Sequence, residues 1–340
     1  MAIKSIDILN VLVFQAQLCK NNKECSKEIL KDTDIINSGF HLNFSDGVNV
    51  LTGENGVGKT SILKMIYAAT QLSAGQGSPR RTKYFLQFFS NNTIDTNELK
   101  NNYHKNDYCY YKVSDGCHNF ECSLSHNGIS GFDEWTGLGM QAVFIPAMEM
   151  LSHSKGFLAM HEKYNMPFDG TQADIIMNAS LPETRKIPIN MSVILDKISD
   201  VIDGIVLYEN DNFYIIKRDG HKIDFTLEAE GFRKLGLLWK LIRNGLLEKD
   251  SILLWDEPEA NLNPELYPLV ADVLLELQEN GVQIFAATQS YNFAKYLEIR
   301  RKEKEQVIFH NLYKSSSGNG GILCSQSAYK MEELEPNHST

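Results

Sequence analysis

The sequence predicts an α/β fold: a mostly parallel central sheet, an antiparallel β element at the N-terminus, and an inserted β-rich plus helical lid region. Three observations carry this. A glycine-rich stretch, Gly53–Thr60, separates a strand-like segment from a helix-like one. Two wholly apolar runs, Ile252–Trp255 and Val282–Ala286, have the composition of strands buried on both faces of a parallel sheet. Helix-period segments alternate with those runs, as they do where crossovers cover such a sheet.

Taken in order, Ile3–Leu9 alternates apolar and polar residues like a strand, and residues 15–38 are polar and irregular. Phe40–Phe44 and Val48–Leu51 flank Asp46-Gly47, a turn signal, so the pair is expected to form a hairpin. Ser61–Leu72 places Ile62, Leu63, Ile66 and Tyr67 at helical spacing. Residues 73–139 form an inserted β-rich element with short strands at Tyr108–Val113 and Asn119–Leu124. Ala142–Ile145 is a buried strand ended by Pro146, and residues 147–203 make a helical lid broken around Leu181–Pro188. Ile205–Glu209 and Phe213–Lys217 form a second hairpin across Asn210-Asp211-Asn212. Helices at Gly231–Leu247, Pro264–Glu279 and Tyr291–Leu297 bracket the apolar strands, and Val307–Leu312 adds another strand. Residues 331–340 are expected to be a flexible acidic tail.

With 340 residues, 43% of them hydrophobic, the chain can bury a sizeable core. Its apolar runs fall far short of the roughly 20 residues a membrane span needs, and Met1–Asn10 lacks the apolar block of a secretory signal. A cytoplasmic protein without a membrane partner is expected. The net charge of −10 argues against a surface built wholly around nucleic acid. The stripes Arg80-Arg81-Thr82-Lys83 and Arg300-Arg301-Lys302 are either solvated faces or short phosphate tracks. Cys109, Cys117, His118, Cys122 and His126 cluster, but no CxxC pair appears among the six cysteines. Free thiols in a reducing compartment fit that spacing better than a zinc site.

Gly53-Glu54-Asn55-Gly56-Val57-Gly58-Lys59-Thr60, followed by Ser61, matches G-x-x-x-x-G-K-[ST] completely. Its glycines let backbone N–H groups wrap a phosphate, Lys59 offsets phosphate charge, and the Thr60 hydroxyl is a Mg²⁺ ligand. Ile252–Trp255 ends in Asp256-Glu257. Two carboxylates at the end of a buried strand need a reason, because buried charge is costly. A metal shell at Asp256 and a water activated by Glu257 supply one.

Lys59 and Asp256 stand far apart in the chain, and Asp256-Glu257-Pro258-Glu259-Ala260-Asn261-Leu262-Asn263-Pro264 follows the strand. Both features resemble the ABC-type P-loop NTPase head. There the run Asp-Glu-Pro-x-x-x-Leu-(Asp/Asn)-Pro is the D-loop, so Asn261 and Asn263 would lie at a dimer interface. The resemblance places Gln289, in Ala287-Thr288-Gln289-Ser290, where a histidine usually reaches the γ-phosphate. Gln can donate a hydrogen bond there but cannot titrate. It places the signature segment at Glu230, Gly231, Arg233 and Lys234, which would meet the nucleotide of a partner subunit. Glu230 stands in place of serine, and Arg233 or Lys234 is expected to offset its charge. Phe144–His153 resembles the Q-loop region without its glutamine. Glu149 there is either a metal-shell oxygen or an acid at a helix start.

Over residues 1–72 and 140–313 the chain resembles compact prokaryotic ABC-type ATPases. These are related to the ATPase domain of overcoming-lysogenisation-defect nucleases and the ATPase subunit of Septu-like defence systems, and more distantly to chromosome-maintenance heads of the SMC kind. The ATPase domain is thus expected to span 1–72 and 140–330. No sustained heptad arm interrupts residues 73–235, and too little chain follows Leu312 for a nuclease domain. What the resemblance implies is a stand-alone ATPase subunit using ATP and Mg²⁺, a homodimer or dimer of dimers. It would regulate a separately encoded nuclease or toxin, with DNA as a further partner. The alternative is an ATP-dependent clamp on DNA or protein with little turnover.

Overall fold

The computed structural model describes residues 1–15, 39–74, 81–90, 95–102, 108–125, 128–130, 133–164, 166–315 and 323–334. His126, Cys19, Cys25, Arg80 and most of the polar stretch 15–38 lie outside them. In chain order come β1 (Ser5–Leu9), β2 (Phe40–Asn43), β3 (Val48–Gly53), α1 (Lys59–Leu72), α2 (Arg81–Leu86), β4 (Cys109–Ser114), β5 (Asn119–Ser125), β6 (Gly128–Ser130) and β7 (Ala142–Ile145). Then follow α3 (Phe157–Lys163), α4 (Gly170–Ser180), α5 (Ile189–Ile202), β8 (Gly204–Glu209), β9 (Asn212–Lys217), β10 (Lys222–Asp224), α6 (Glu230–Arg243) and β11 (Ile252–Asp256). The chain continues through α7 (Tyr267–Glu279), β12 (Gln283–Ala287), α8 (Tyr291–Arg300), β13 (Val307–Lys314) and β14 (Leu323–Ala328).

Among the described residues the strands form three sheets. The central one has the order β14-β13-β3-β12-β11-β7. Its pairs are parallel except β13 with β14. The apolar runs sort by alternation across this sheet. Leu253 and Trp255 of β11 join the core beneath α5, α6, α7 and α8. Ile252 and Leu254 join the core shared by α1 and the strands of the second sheet. A helix layer therefore covers one face, while α1 and an antiparallel sheet cover the other. That second sheet, β2-β1-β4-β5-β6, unites the N-terminal strands with those of residues 73–139. The third is β10-β9-β8. The hairpin expected at 205–217 forms there, with Asn210 and Asp211 at φ 51° and 59° as a two-residue turn requires.

The other expected hairpin does not form. β2 pairs with β1 in the antiparallel sheet, while β3 enters the central sheet. Both edges of β3 are taken by parallel partners, β12 and β13, and its residues are buried throughout, so β2 has no edge to pair with. Asp46-Gly47 is a crossing between layers. A Cβ on Gly47 would lie 2.5 Å from the Gln306 carbonyl oxygen, so the close approach requires glycine. Near the C-terminus, Met331 and Leu334 pack against the core, and the Met331 N–H donates to Glu298 Oε2 at 3.0 Å. The part of the expected tail from 335 on lies outside the described residues.

Candidate nucleotide site

The carboxyl ends of β3, β11 and β12 lie side by side, the usual ligand edge of an open parallel sheet. β3 runs into Gly53, and the loop turns through Gly56 (φ 76°) and Gly58 (φ 92°) into α1. A side chain at Gly53 would strike the Leu312 carbonyl oxygen, and one at Gly58 would strike Phe14 and Val13. Lys59 is 7% exposed and donates back across the loop to the Gly53 carbonyl at 2.6 Å and the Glu54 carbonyl at 2.9 Å. Burial lowers its ammonium pKa, opposed by Glu257, Asp256 and Glu259. Glu54, Asn55 and Gly56 are exposed along the rim, Val57 is buried beneath it, and Thr60 and Ser61 open the helix.

The Thr60 hydroxyl donates to Asp256 Oδ2 at 2.9 Å, joining the loop to the end of β11. Burial pushes the Asp256 carboxyl up to about 6, the Thr60 hydrogen bond pulls the other way, and the charge of Glu257 adds to the rise. A buried carboxylate facing a hydroxyl is an all-oxygen donor set, and it suits Mg²⁺. Glu257 turns out of the strand at φ 49°, a left-handed conformation rare for residues other than glycine. Its N–H is tied to the Ala287 carbonyl at 2.8 Å. The turn aims its carboxylate at the exposed Gln289, whose amide donates to Glu257 Oε1.

The comparisons with known proteins agree with this architecture. Residues 34–156 match a family model described as "AAA domain", and residues 172–294 match one described as "AAA domain, putative AbiEii toxin, Type IV TA system". The arginine transport ATP-binding protein ArtP of Haemophilus influenzae is 37% identical over 65 residues, 19% of this chain. The match spans only 27% of that relative's own length. An SMC head bound to the C-terminal winged-helix domain of ScpA superposes with TM-score 0.52 at 14% identity, over 98% of this chain and 99% of that one. The Pyrococcus furiosus SMC head with an extended coiled coil, bound to the C-terminal domain of ScpA, gives 0.54 at 12% identity, over 97% of each chain. The fold is that of an SMC head, and two stretches of the chain match AAA-domain models.

Of the remaining expected site residues, Glu230, Arg233 and Asn261 line a cleft of about 580 Å³ together with Glu149, Ser152 and His153. The Asn261 side chain donates to Glu230 Oε1 at 2.9 Å, and burial lowers the pKa of the Lys234 ammonium against the opposing charge of Glu230. Arg233 instead lies with its Nε 3.3 Å from Glu149 Oε2. Lys234 reaches under the turn after β11 to the Ala260 carbonyl at 2.5 Å and the Glu257 carbonyl at 3.4 Å. Gly231 sits close to that turn, where a Cβ would meet Leu262 at 3.1 Å. Asn263 caps the short turn leading to α7, accepting from the Glu265 N–H at 3.2 Å. Glu149 accepts from the Leu151 N–H at 2.6 Å and the Ser152 N–H at 3.3 Å, as an acid at a helix start does.

Sequence reasoning missed Glu259, which is 8% exposed and bonded to Thr288. The signal was present: it is a third acid within four residues of a buried strand. The basic stripe at Arg300-Arg301-Lys302 is engaged with its own chain, Arg300 with Asp272 and Lys302 with Glu279. Among the described residues no group of three or more His, Cys, Asp or Glu could hold a metal ion by itself. Cys109 and Cys122 are buried and Cys117 is exposed. Among the described residues no helix is long and apolar enough to cross a membrane.

Proposed function

We propose that this chain hydrolyses ATP with Mg²⁺ as the moving part of a dimer that regulates a separately encoded effector, in anti-phage defence. The observation that carries the hydrolytic part is the Thr60–Asp256 contact at 2.9 Å, which brings the phosphate loop and the acidic strand end to one point. Gly53–Ser61 binds the phosphates with backbone N–H groups at the head of α1, and Lys59 swings from its two carbonyls to the phosphate oxygens. Thr60 and Asp256 would hold Mg²⁺, which would supply neutralisation of phosphate charge. Glu257 orients the attacking water and takes its proton, and Gln289 donates to a phosphate oxygen once it has released Glu257. Gly231 and its neighbours cover the nucleotide of the partner subunit across a two-fold axis, with Asn261 and Asn263 beside it.

The effector role is supported by the family model over residues 172–294, whose description names a toxin system. The two SMC heads of this fold are each complexed with a domain of another protein, which supports partner capture by such a head. The alternative, a clamp that binds ATP with little turnover, is favoured by the Gln289 contact, which occupies the carboxylate needed for water activation. Phosphate release measured with Mg²⁺ or with chelator, across a range of protein concentrations, separates the two. Mg²⁺-dependent turnover that rises with concentration is expected. Tight nucleotide binding without phosphate release would leave the clamp, and a concentration-independent rate from a strict monomer would remove the dimer.

A further inference from the structure

Glu259 lies in the turn after β11, between Glu257 and Asn261. Its Oε1 accepts three donors from the loop joining β12 to α8: Thr288 Oγ1 at 2.5 Å, the Gln289 N–H at 3.1 Å and the Ser290 N–H at 3.2 Å. The loop has other anchors. The Thr288 N–H is bonded to the Leu51 carbonyl at 3.0 Å, and Ser290 caps α8 through the Phe293 N–H at 3.2 Å. Strand and helix would thus end properly without an acid, and a buried carboxylate is an expensive way to close a loop. What Glu259 adds is a fixed backbone for Gln289, the residue whose side chain holds Glu257. The same turn carries Asn261, tied to Glu230, and the Ala260 carbonyl, tied to Lys234, both from α6.

We propose that Glu259 is a positioning residue: it fixes the backbone of the 288–290 loop so that the Gln289 side chain stays at the site, able to leave Glu257 for a phosphate oxygen, and it passes movement of the Asn261 turn to Gln289. The proposal rests on the hydrolytic reading above, and its test is chosen to separate the two. Glu259→Gln keeps an oxygen for the same three donors, whereas Glu259→Ala removes it. In steady-state ATP hydrolysis, Glu259→Gln should stay within about threefold of wild type, while Glu259→Ala loses about 10–100-fold in kcat with little change in KM, the signature of misplaced machinery rather than lost binding. Glu259→Ala combined with Gln289→Ala should be no worse than Gln289→Ala alone, because both act through one contact. Backbone hydrogen exchange over residues 288–290 should speed up in Glu259→Ala and not in Glu259→Gln. If Glu259→Ala fails to fold, Glu259→Asp, which keeps charge but loses reach, should show the same kcat loss and faster exchange.

Unchanged exchange and turnover in the alanine or aspartate variant would overturn the proposal. So would a glutamine variant as impaired as alanine, or effects of Glu259 and Gln289 that multiply. Wild-type protein that shows the exchange pattern but releases no phosphate would defeat the hydrolytic reading and leave the lock standing.

Discussion

The two sides of the turn after β11 are built differently. On the phosphate-loop side, Lys59, Thr60 and Asp256 are placed by strand and helix ends within the central sheet, and the polar groups converge through contacts of 2.6–2.9 Å. On the α6 side, Glu230 and Arg233 border a cleft and Lys234 is buried behind them, and each is engaged with its own chain, at Asn261, Glu149 and the Ala260 carbonyl. The first side is set by backbone geometry and is complete in one chain. The second is set by ionic and amide contacts that a nucleotide and a partner subunit would have to replace. The chain therefore has a phosphate loop fixed by its own backbone beside residues of α6 held by side-chain contacts.

That contrast can be broken most decisively at Lys59. Lys59→Ala should abolish Mg²⁺-ATP binding in calorimetry, because the Lys59 ammonium is held at the loop by its contacts of 2.6 and 2.9 Å. Unchanged affinity would mean the phosphate-loop side is not the grip. At Glu257 the expected effect is on chemistry alone. Glu257→Gln should leave nucleotide affinity near wild type and slow hydrolysis by about 10²–10⁴-fold, the range for losing a general base. Equal turnover would assign the base elsewhere.

The α6 side should respond more mildly and only in the assembled state. Gly231→Glu should lower hydrolysis about tenfold at high protein concentration, a loss of about 1.4 kcal/mol in the assembled transition state, while nucleotide affinity of the dilute monomer is unchanged. The reason is bulk and charge: an acid at this position would oppose close approach to the phosphates of a partner subunit's nucleotide. Equal loss of monomer binding would erase the distinction between the two sides.

The last effect is on stability rather than on turnover. Tyr67 of α1 donates to Asp174 Oδ2 of α4 at 2.8 Å. Burial pushes the Asp174 carboxyl from 3.8 up to about 6, with the Tyr67 hydrogen bond opposing. A carboxyl whose folded value lies above its unfolded one destabilises the fold when it ionises. Its favourable contribution is complete below the ordinary value near 3.8 and is lost as pH rises through 6. Asp174→Asn keeps an acceptor for Tyr67 and cannot ionise. It should be more stable than wild type at pH 8 by up to about 3 kcal/mol, with the advantage gone by pH 4, as read from urea midpoints. An advantage equal at both pH values would assign the gain to packing.

The sequence by itself determined the phosphate loop, the apolar strand ending in Asp256-Glu257, and the alternation of strands and helices that makes a parallel sheet. These are legible because each is a local pattern. Glycine is required where backbone must pass close to a carbonyl, as at Gly53, and two-sided burial writes an unbroken apolar run, as at Ile252–Trp255. Only the tertiary structure decided which strands share a sheet, and so that Phe40–Asn43 and Val48–Gly53 part company across Asp46-Gly47. It also decided the partners of charge. Glu230 finds Asn261 thirty-one positions away, Arg233 finds Glu149 from another element, and Glu259 grips a loop twenty-nine to thirty-one positions on. Side-chain pairing of this kind depends on which strand ends the sheet sets side by side, and that is fixed by the order of the strands rather than by any spacing in the chain.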